Sequence, residues 1–156
     1  MPTGSAPTPA QLTPALLVSA CLVGVKCNHR GAASPSDAVQ ALGQSFRLVP
    51  VCPETLGGLP TPRPAAELQP DGRVVTAAAQ DVSAAYRRGA DATIALARAV
   101  GAESAVLKAR SPSCGCHEVY DGTFTGRRRA GMGITAAALV DAGIAVRSEE
   151  DVETDG

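Results

Sequence analysis

The stretch DVSAAYRRGADATIALARAVGAESAVLKA, residues 81–109, predicts a long helix that is followed at once by a strand. Apolar residues recur at helical spacing in its first part, and Asp81 and Gly101 are typical of the two ends of a helix. The short apolar run at 104–109 then predicts a strand. Alternating helices and strands build parallel sheets, so this stretch indicates the α/β class.

Further units of the same kind lie on both sides of this stretch. Strands are predicted at 16–20, 46–51 and 144–148, and helices at 35–43 and 131–143. The alternation predicts a single-domain three-layer sandwich of the α/β class, with a small, mostly parallel sheet of the Rossmann or flavodoxin-like type.

The expected domain covers residues 15–150, with a flexible tail at 1–14 and an acidic tail at 151–156. Residues 53–72 contain five prolines and a pair of adjacent glycines, and are therefore too broken for a helix or a central strand. We expect a long irregular loop there. Such loops inside compact domains are usually functional or disordered.

The bulk composition restricts the class of partner. The chain has 156 residues, of which 45% are hydrophobic, and this suits one domain with a real core. Its net charge is −1 and it has 3% aromatic residues and no Trp, so large nucleic acids are not expected partners. Neither a signal peptide nor an apolar run of membrane-span length is visible, which predicts a cytoplasmic protein without a membrane partner. The oligomeric state is left open.

Three of the five cysteines follow predicted strands. Cys21 follows the first strand, Cys52 follows the second, and Cys114 lies a few residues past the third. Parallel strands end at one edge of the sheet, where ligands bind, so we expect these three thiols to meet in one pocket. Soft thiolates select zinc, copper(I) or iron–sulfur clusters, and three of them leave one position of the metal unit open.

Other interpretations of the cysteines remain. Free cysteines are often simply buried as small apolar residues. The thiols also suit a closed structural zinc site, with Cys27 or Cys116 as the fourth ligand, although zinc ligands usually come in close-spaced pairs. A thiol-redox function is disfavoured because the chain has no C-x-x-C motif.

Five blocks of sequence resemble one known family. VSACLVGVKC (18–27), PVCPETLGGLPTPRPAAEL (50–68), LKARSPSCG (107–115), VYDGTF (119–124) and GMGITAAALVDAGIAVRSEE (131–150) are similar to signature blocks of the domain of unknown function 523 family, whose characterised members are thiouracil desulfidases. The resemblance extends from about 16 to 150. It implies a [4Fe-4S] cluster held by Cys21, Cys52 and Cys114, with one open iron that takes the sulfur of a small thiolated base or nucleotide.

Candidate catalytic residues lie near these cysteines. Glu54 is the nearest acid in sequence to a proposed ligand, and it is our candidate for the base that activates water. Ser111 and Ser113 flank a proline in the turn that presents Cys114, and a hydroxyl there can donate to substrate or relay a proton. The alternative role for Glu54 is to bind backbone N–H groups of its own loop.

Candidate substrate-binding residues are spread over three segments. Gly57 and Gly58 offer backbone N–H groups, Lys108 offers a charge before the Cys114 turn, and Arg127 begins an arginine run that suits a phosphate. The alternative for Lys108 is an ordinary solubilising side chain at the sheet edge, and the alternative for the arginine run is a solvated turn.

One loop departs from the family pattern. Where the family usually continues with Arg, Tyr, Asp and Gly, this chain has Asn28, His29, Arg30 and Gly31, which removes an acid and adds a base. If the loop touches substrate, a more anionic ligand is favoured; a variable exposed loop is the alternative. Neither His29 nor His117 has ligand spacing to a second histidine, and both are predicted to be polar loop residues.

Overall fold

The computed structural model describes residues 13–155, so residues 1–12 of the predicted N-terminal tail lie outside it. Eight strands and five α-helices occur in this range. In chain order they are β1 (Ala15–Ser19), α1 (Asp37–Ala41), β2 (Arg47–Val51), α2 (Pro53–Leu56), β3 (Ala66–Leu68), β4 (Val74–Thr76), α3 (Ser83–Val100), β5 (Ser104–Leu107), β6 (Glu118–Tyr120), β7 (Arg128–Ala130), α4 (Ile134–Asp141), β8 (Ala145–Ser148) and α5 (Glu149–Asp155).

Four of the eight strands form one parallel sheet, in the order β2-β1-β5-β8. Leu16 of β1 is paired with Leu48 of β2 on one side and with Ser104 of β5 on the other, and Ser104 is paired with Ala145 of β8. Because all four strands are parallel, their carboxyl ends lie at one edge. The chain extends the sheet to one side of β1 with β2 and to the other side with β5 and β8, which places the switch point of the sheet between β1 and β5.

Helices cover both faces of the sheet and confirm the three-layer sandwich. Leu17 and Leu107 pack on one face with Ala97 of α3 and Leu139 of α4. The opposite face has its own apolar cluster, which contains Leu16, Val18, Val106, Val39 of α1 and Val152 of α5. Successive side chains of a strand point to opposite faces, so a strand covered on both sides is apolar throughout. This explains the unbroken apolar run that predicted β1.

Two glycines allow α2 to lie directly on α3. A Cβ atom on Gly89 would lie 1.9 Å from the carbonyl oxygen of Pro53, and one on Gly57 would lie 2.0 Å from the carbonyl oxygen of Ala85. Neither position can carry a larger residue without separating the two backbones. Gly89 interrupts a predicted helix at a cost in helix propensity, and this close approach is its physical reason.

The structure differs from the sequence prediction in its short elements. The proline-rich segment contains the one-turn helix α2 and the strand β3, which pairs with β4 in a separate two-stranded antiparallel sheet. A second such hairpin joins β6 and β7. Residues 151–155 of the expected acidic tail are helical, because Val152 is buried against the sheet and anchors α5 there.

None of the helices in residues 13–155 has both the length and the apolar character needed to cross a membrane.

Candidate active site

A cavity of about 510 Å³ opens at the carboxyl edge of the sheet, beside the switch point. Its walls come from the turns that follow β1, β2 and β5, from the loop at 27–34 and from the proline-rich segment. Among the lining residues are Ser19, Cys21, Cys27, Asn28, His29, Arg30, Cys52, Glu54, Arg63, Glu67, Tyr86, Lys108, Arg110, Ser111, Cys114 and Tyr120. The volume is in the range typical of small-molecule sites.

The structure brings Cys21, Cys52 and Cys114 together in this cavity. Cys21 lies in a short 3-10 turn (Ala20–Val23) directly after β1, Cys52 is the residue before α2, and Cys114 lies in the turn after β5. All three thiols are free; Cys21 and Cys114 are buried and Cys52 is half-buried. The strand ends thus deliver one thiol each, as the sequence pattern predicts.

The thiols of Cys21 and Cys114 favour their protonated form when nothing is bound. Burial raises the pKa of Cys114 to about 12, and a hydrogen bond from Ser19 only partly opposes this. Burial also raises the pKa of Cys21 to about 11, and the charge of Lys108 acts in the opposite direction. Buried thiolates need a cation to replace their protons, so this donor set fits a soft metal or an iron–sulfur cluster.

Cys27 is a fourth thiol of the same cavity. Burial raises its pKa to about 12, with the neighbouring Cys52 thiol as the next cause. The Sγ atom of Cys52 lies 3.8 Å from the carbonyl oxygen of Cys27. Cys116, in contrast, lines a separate and smaller cavity.

The carboxylate of Glu54 is held at both of its oxygens. Tyr86 donates its hydroxyl proton to Oε1 at 3.1 Å, and Nε of Arg63 donates to Oε2 at 2.8 Å. Nη2 of Arg63 also contacts Oε2 in an ion pair whose side chains are 5% and 13% exposed for Arg63 and Glu54. Burial raises the pKa of the Tyr86 phenol, and the Glu54 charge adds to this, so the phenol remains a donor at neutral pH.

Arg63 also fixes the loops around the cavity. Its guanidinium donates to the carbonyl oxygen of Cys27 at 2.9 Å and to Oγ1 of Thr61 at 3.0 Å, and its backbone N–H donates to the carbonyl oxygen of His29 at 2.8 Å. Burial alone would lower the pKa of Arg63, but the Glu54 carboxylate outweighs burial and raises it. The side chain therefore stays charged and joins the proline-rich segment to the loop at 27–34.

Sequence reasoning gave neither Arg63 nor Tyr86 a role. Tyr86 fits the apolar periodicity of α3, which made it a core residue in the prediction. Arg63 lies between two prolines in the block at 50–68. A long charged side chain in such a rigid segment was the one feature of the sequence that could have indicated a role for Arg63.

The two candidate serines occupy different places. Ser111 lines the cavity, and its Oγ accepts the N–H groups of Ser113 and Cys114 at 3.0 Å each. Ser113 does not line the cavity; its hydroxyl is buried and lies 2.9 Å from Oγ1 of Thr135 at the start of α4. Ser111 therefore shapes the turn and faces the cavity, whereas the hydroxyl of Ser113 joins the turn to α4.

Of the four candidate substrate-binding residues, Lys108 alone is a lining residue. Its Nζ lies 3.5 Å from Oε2 of the buried Glu149 on α5. Gly57 packs on α3, as described above, and Gly58 is an exposed turn residue with a φ of +97°. The Arg127 side chain is 79% exposed and lies 3.9 Å from Asp121.

The atypical loop contributes three side chains to the cavity wall: Asn28, His29 and Arg30. Oδ1 of Asn28 accepts the backbone N–H groups of Arg30 and Ala32, which fixes the turn. Within residues 13–155 the guanidinium of Arg30 has no ion pair, whereas Arg110, on the same cavity, contacts Glu150 at 2.9 Å. Arg30 thus presents an unneutralised positive charge to the cavity.

Comparison with known proteins gives three matches. A sequence model of the family described as 2-thiouracil desulfurase matches residues 16–151. The chain is 40% identical over 146 residues to the uncharacterized protein YbbK of Bacillus subtilis (strain 168), with 88% of this chain and 97% of that protein covered. It is 43% identical to a solved structure of the [4Fe-4S]-dependent thiouracil desulfidase TudS, with a TM-score of 0.83 and coverage of 90% of this chain and 94% of that one.

Proposed function

Because the chain belongs to the 2-thiouracil desulfurase family, we propose that it is a [4Fe-4S]-dependent desulfidase that removes sulfur from thiolated pyrimidines of the thiouracil or 4-thiouridine type. The observation that carries the proposal is the meeting of three free thiols in one cavity at the switch point of the sheet. The reaction replaces a C=S group by C=O with water as the co-substrate and releases sulfide, without net oxidation or reduction.

Cys21, Cys52 and Cys114 are the proposed ligands of the cluster. A cluster held by these three residues would supply one open iron, which would act as a Lewis acid toward the soft sulfur of a C=S group. Cys27 lies in the same cavity, where its thiol contributes to the surroundings of Cys52. Because only three cysteines are assigned as ligands, one iron of the proposed cluster would have no protein ligand and would be open to substrate.

Glu54 is the proposed general base. Arg63 donates to one of its oxygens and Tyr86 to the other, and together they fix the orientation of the carboxylate. An ionised carboxylate at the cavity wall accepts a proton from water as the water oxygen attacks the ring carbon. The second water proton is lost as the C=O bond forms, and both protons leave with the sulfur as hydrogen sulfide, so the ring nitrogens end with the protons they began with and the hydrolysis balances.

Ser111 is the proposed hydroxyl donor. A hydroxyl has two acceptor lone pairs and one proton. The N–H groups of Ser113 and Cys114 occupy the acceptor side of Ser111 Oγ, so its proton is available to a substrate oxygen or nitrogen in the cavity. For Ser113 we propose a structural role, because its hydroxyl contacts Thr135 and so holds the turn of Cys114 against α4.

The cavity wall favours an anionic group on the substrate. Arg30 and Lys108 both line it, and the volume of about 510 Å³ accepts a pyrimidine that carries ribose and phosphate. We propose that these two side chains bind such a phosphate, in preference to Arg127, Gly57 and Gly58, which are not among the residues that line the cavity.

The test is anaerobic reconstitution with iron and sulfide, followed by iron analysis and sulfide release from 2-thiouracil, 4-thiouracil and 4-thiouridine monophosphate. We expect about four irons per chain and sulfide release. Replacement of Cys21, Cys52 or Cys114 by Ala should abolish iron retention, whereas Cys116→Ala should retain it. Iron loading without sulfide release from any of these compounds would contradict the desulfidase.

A closed zinc site is the second candidate function because Cys27 lies in the same cavity, although within residues 13–155 no three of these four thiols lie within 4.8 Å of one another, as the ligands of one zinc ion would. Cys27 gives the cavity a fourth thiol, which is the number that a structural zinc site requires. Failure to take up iron, together with one tightly bound zinc that is lost in Cys27→Ala, would support this alternative. Loading with about four irons would exclude it.

A further inference from the structure

A second group of metal-ligating side chains lies outside the large cavity. It consists of Cys116 and His117, in the turn between β5 and β6, and Asp151 on α5. One donor atom from each residue lies within 4.8 Å of the others. Cys116 is buried, Asp151 is half-buried and His117 is exposed, so the group reaches from the protein interior to the surface.

We propose that Cys116, His117 and Asp151 form a binding site for a divalent cation of the zinc type. A thiolate, an imidazole and a carboxylate are the three ligand types that zinc accepts in proteins. Around a tetrahedral zinc, with bonds of about 2.0–2.3 Å, neighbouring donor atoms are roughly 3.3–3.7 Å apart. The donor atoms already lie within 4.8 Å of one another, so small side-chain rotations bring them into this range, and the His117 side chain is 62% exposed.

The surrounding space suits an ion with a bound water. A cavity of about 180 Å³ adjoins the group and is lined by Cys116 and His117 together with Arg110, Glu118, Ser148 and Glu150. Three protein ligands leave the fourth tetrahedral position open, and this cavity provides room for water there.

The carboxylate of Asp151 is already oriented for this role. Its Oδ2 accepts the backbone N–H of Ser148 at 2.9 Å and lies 2.7 Å from Nε2 of His117. Ser148 in turn accepts the N–H of Asp151, and this pair of bonds caps the start of α5. Within the described residues Oδ1 of Asp151 has no hydrogen bond, so it can bind the ion while Oδ2 keeps the cap and orients the imidazole.

Metal binding there would join two parts of the wall of the large cavity. The turn that holds Cys116 also holds Cys114, and α5 holds Glu149, whose carboxylate accepts the N–H of Ala109 at 2.7 Å. An ion shared between turn and helix would fix their relative position. The site is separate from the proposed catalytic chemistry, and its existence does not depend on the desulfidase proposal.

The experiment is equilibrium dialysis of the full chain, reconstituted with iron and sulfide under anaerobic conditions, against Zn²⁺, with zinc and iron counted in the same samples. Wild type should bind one zinc more than His117→Ala and Cys116→Ala, and Asp151→Asn should weaken this zinc by at least about 10-fold. His117 is exposed, so its replacement tests the site without a folding defect. Asp155→Asn, an acid on the same helix outside the group, is the matched control and should bind as wild type does.

Anomalous scattering at the zinc edge from crystals grown with Zn²⁺ should give a peak between Cys116, His117 and Asp151. Equal zinc content in wild type and His117→Ala, whatever the iron content, would overturn the proposal. So would the failure of wild type to bind zinc, since Asp151 and His117 would then form only an ion pair at the surface.

Discussion

At the scale of single residues, the best-defined feature of the site is the carboxylate of Glu54. Arg63 and Tyr86 each hold one of its oxygens; Arg63 comes from the same proline-rich segment and Tyr86 from α3. A base that is fixed in this way loses little entropy when it meets its proton. Its two partners therefore offer a direct test of the proposed mechanism.

Tyr86→Phe should reduce turnover without loss of the cluster. The substitution removes one hydrogen bond to a charged group, worth about 1.5–3 kcal/mol, and leaves the shape of the side chain almost unchanged. We expect kcat to fall about 10-fold or more, with KM within about 2-fold, because orientation of the base affects the chemical step. Iron content serves as the control; unchanged kcat would remove Tyr86 from the mechanism.

The buried Tyr86 also makes stability depend on pH in the alkaline range. Its pKa is raised in the folded protein, so above pH 10 the unfolded chain loses the phenol proton while the folded chain keeps it. The free energy of unfolding should then fall, by up to about 1.4 kcal/mol per pH unit from this group. Urea unfolding at pH 9, 10 and 11 should show a shallower decline for Tyr86→Phe than for wild type. Parallel declines would contradict this origin.

Arg63→Gln should destabilise the fold far more than Arg73→Gln. Arg63 and Glu54 form a largely buried ion pair, and removal of one partner leaves the other charge buried, at a cost of about 3–5 kcal/mol. Arg73 pairs with Asp71 at the surface, where both side chains are more than half exposed and solvent screens the charges, so its loss should change the free energy of unfolding very little. Similar unfolding free energies for the two variants would show that the Arg63 pair is not structurally important.

At the scale of elements, the contact of α2 with α3 positions the base. Glu54 lies on α2 and Tyr86 on α3, and the absence of side chains at Gly57 and Gly89 lets the two helices approach closely enough for their hydrogen bond. The geometry of the site thus depends on a backbone contact as much as on the functional groups.

Gly89→Ala should therefore be destabilising although Ala is the better helix former. The new Cβ would lie 1.9 Å from the Pro53 carbonyl oxygen, so α2 must move, at a cost of about 1–3 kcal/mol. Activity should fall as well, because Glu54 moves with α2. Gly43→Ala is the matched control, since its Cβ would meet only the Leu48 side chain at 3.5 Å. Equal stability of the two variants in thermal unfolding would contradict the close contact.

At the scale of the whole molecule, the sequence predicted the sheet better than the elements that surround the site. The central strands β1 and β5 are buried on both faces and are therefore visible as apolar runs, whereas the edge strands β2 and β8 are partly exposed and still carry enough apolar residues to be predicted. The hairpins β3–β4 and β6–β7 escaped prediction because their strands have three residues each and little apolar pattern. The helix α5 escaped because a single buried residue, Val152, anchors an otherwise acidic segment.

The candidate site was predictable in part for the same reason. Strand ends are fixed by local pattern, so the meeting of Cys21, Cys52 and Cys114 follows from the topology. The partners of Glu54 depend on the path of the proline-rich segment and on how α2 packs, and no local pattern specifies either. The positions of Ser113 and Arg127 relative to the site could not be predicted for the same reason. Both residues lie in turns, and the direction of a turn is set by long-range contacts.

Loading with iron should stabilise the whole molecule. A cluster that binds only the folded chain shifts the equilibrium toward that chain, and the three proposed ligands connect β1, β2 and β5. Reconstituted protein should unfold at a higher temperature than the unloaded protein. Cys21→Ala should show no such difference; a difference of wild-type size in that variant would contradict the ligand assignment.

The wide spacing of the three thiols along the chain bears on the order of events during biosynthesis. Cys52 follows Cys21 by 31 residues and Cys114 follows Cys52 by 62, so no short piece of nascent chain holds two of them. The polypeptide must leave the ribosome and form its sheet before the proposed ligands meet, unlike a zinc finger, whose close-spaced ligands let the metal direct folding. Insertion of the proposed cluster is then a late step that takes place on the folded protein. A cell that is short of iron would accumulate folded protein without its cluster.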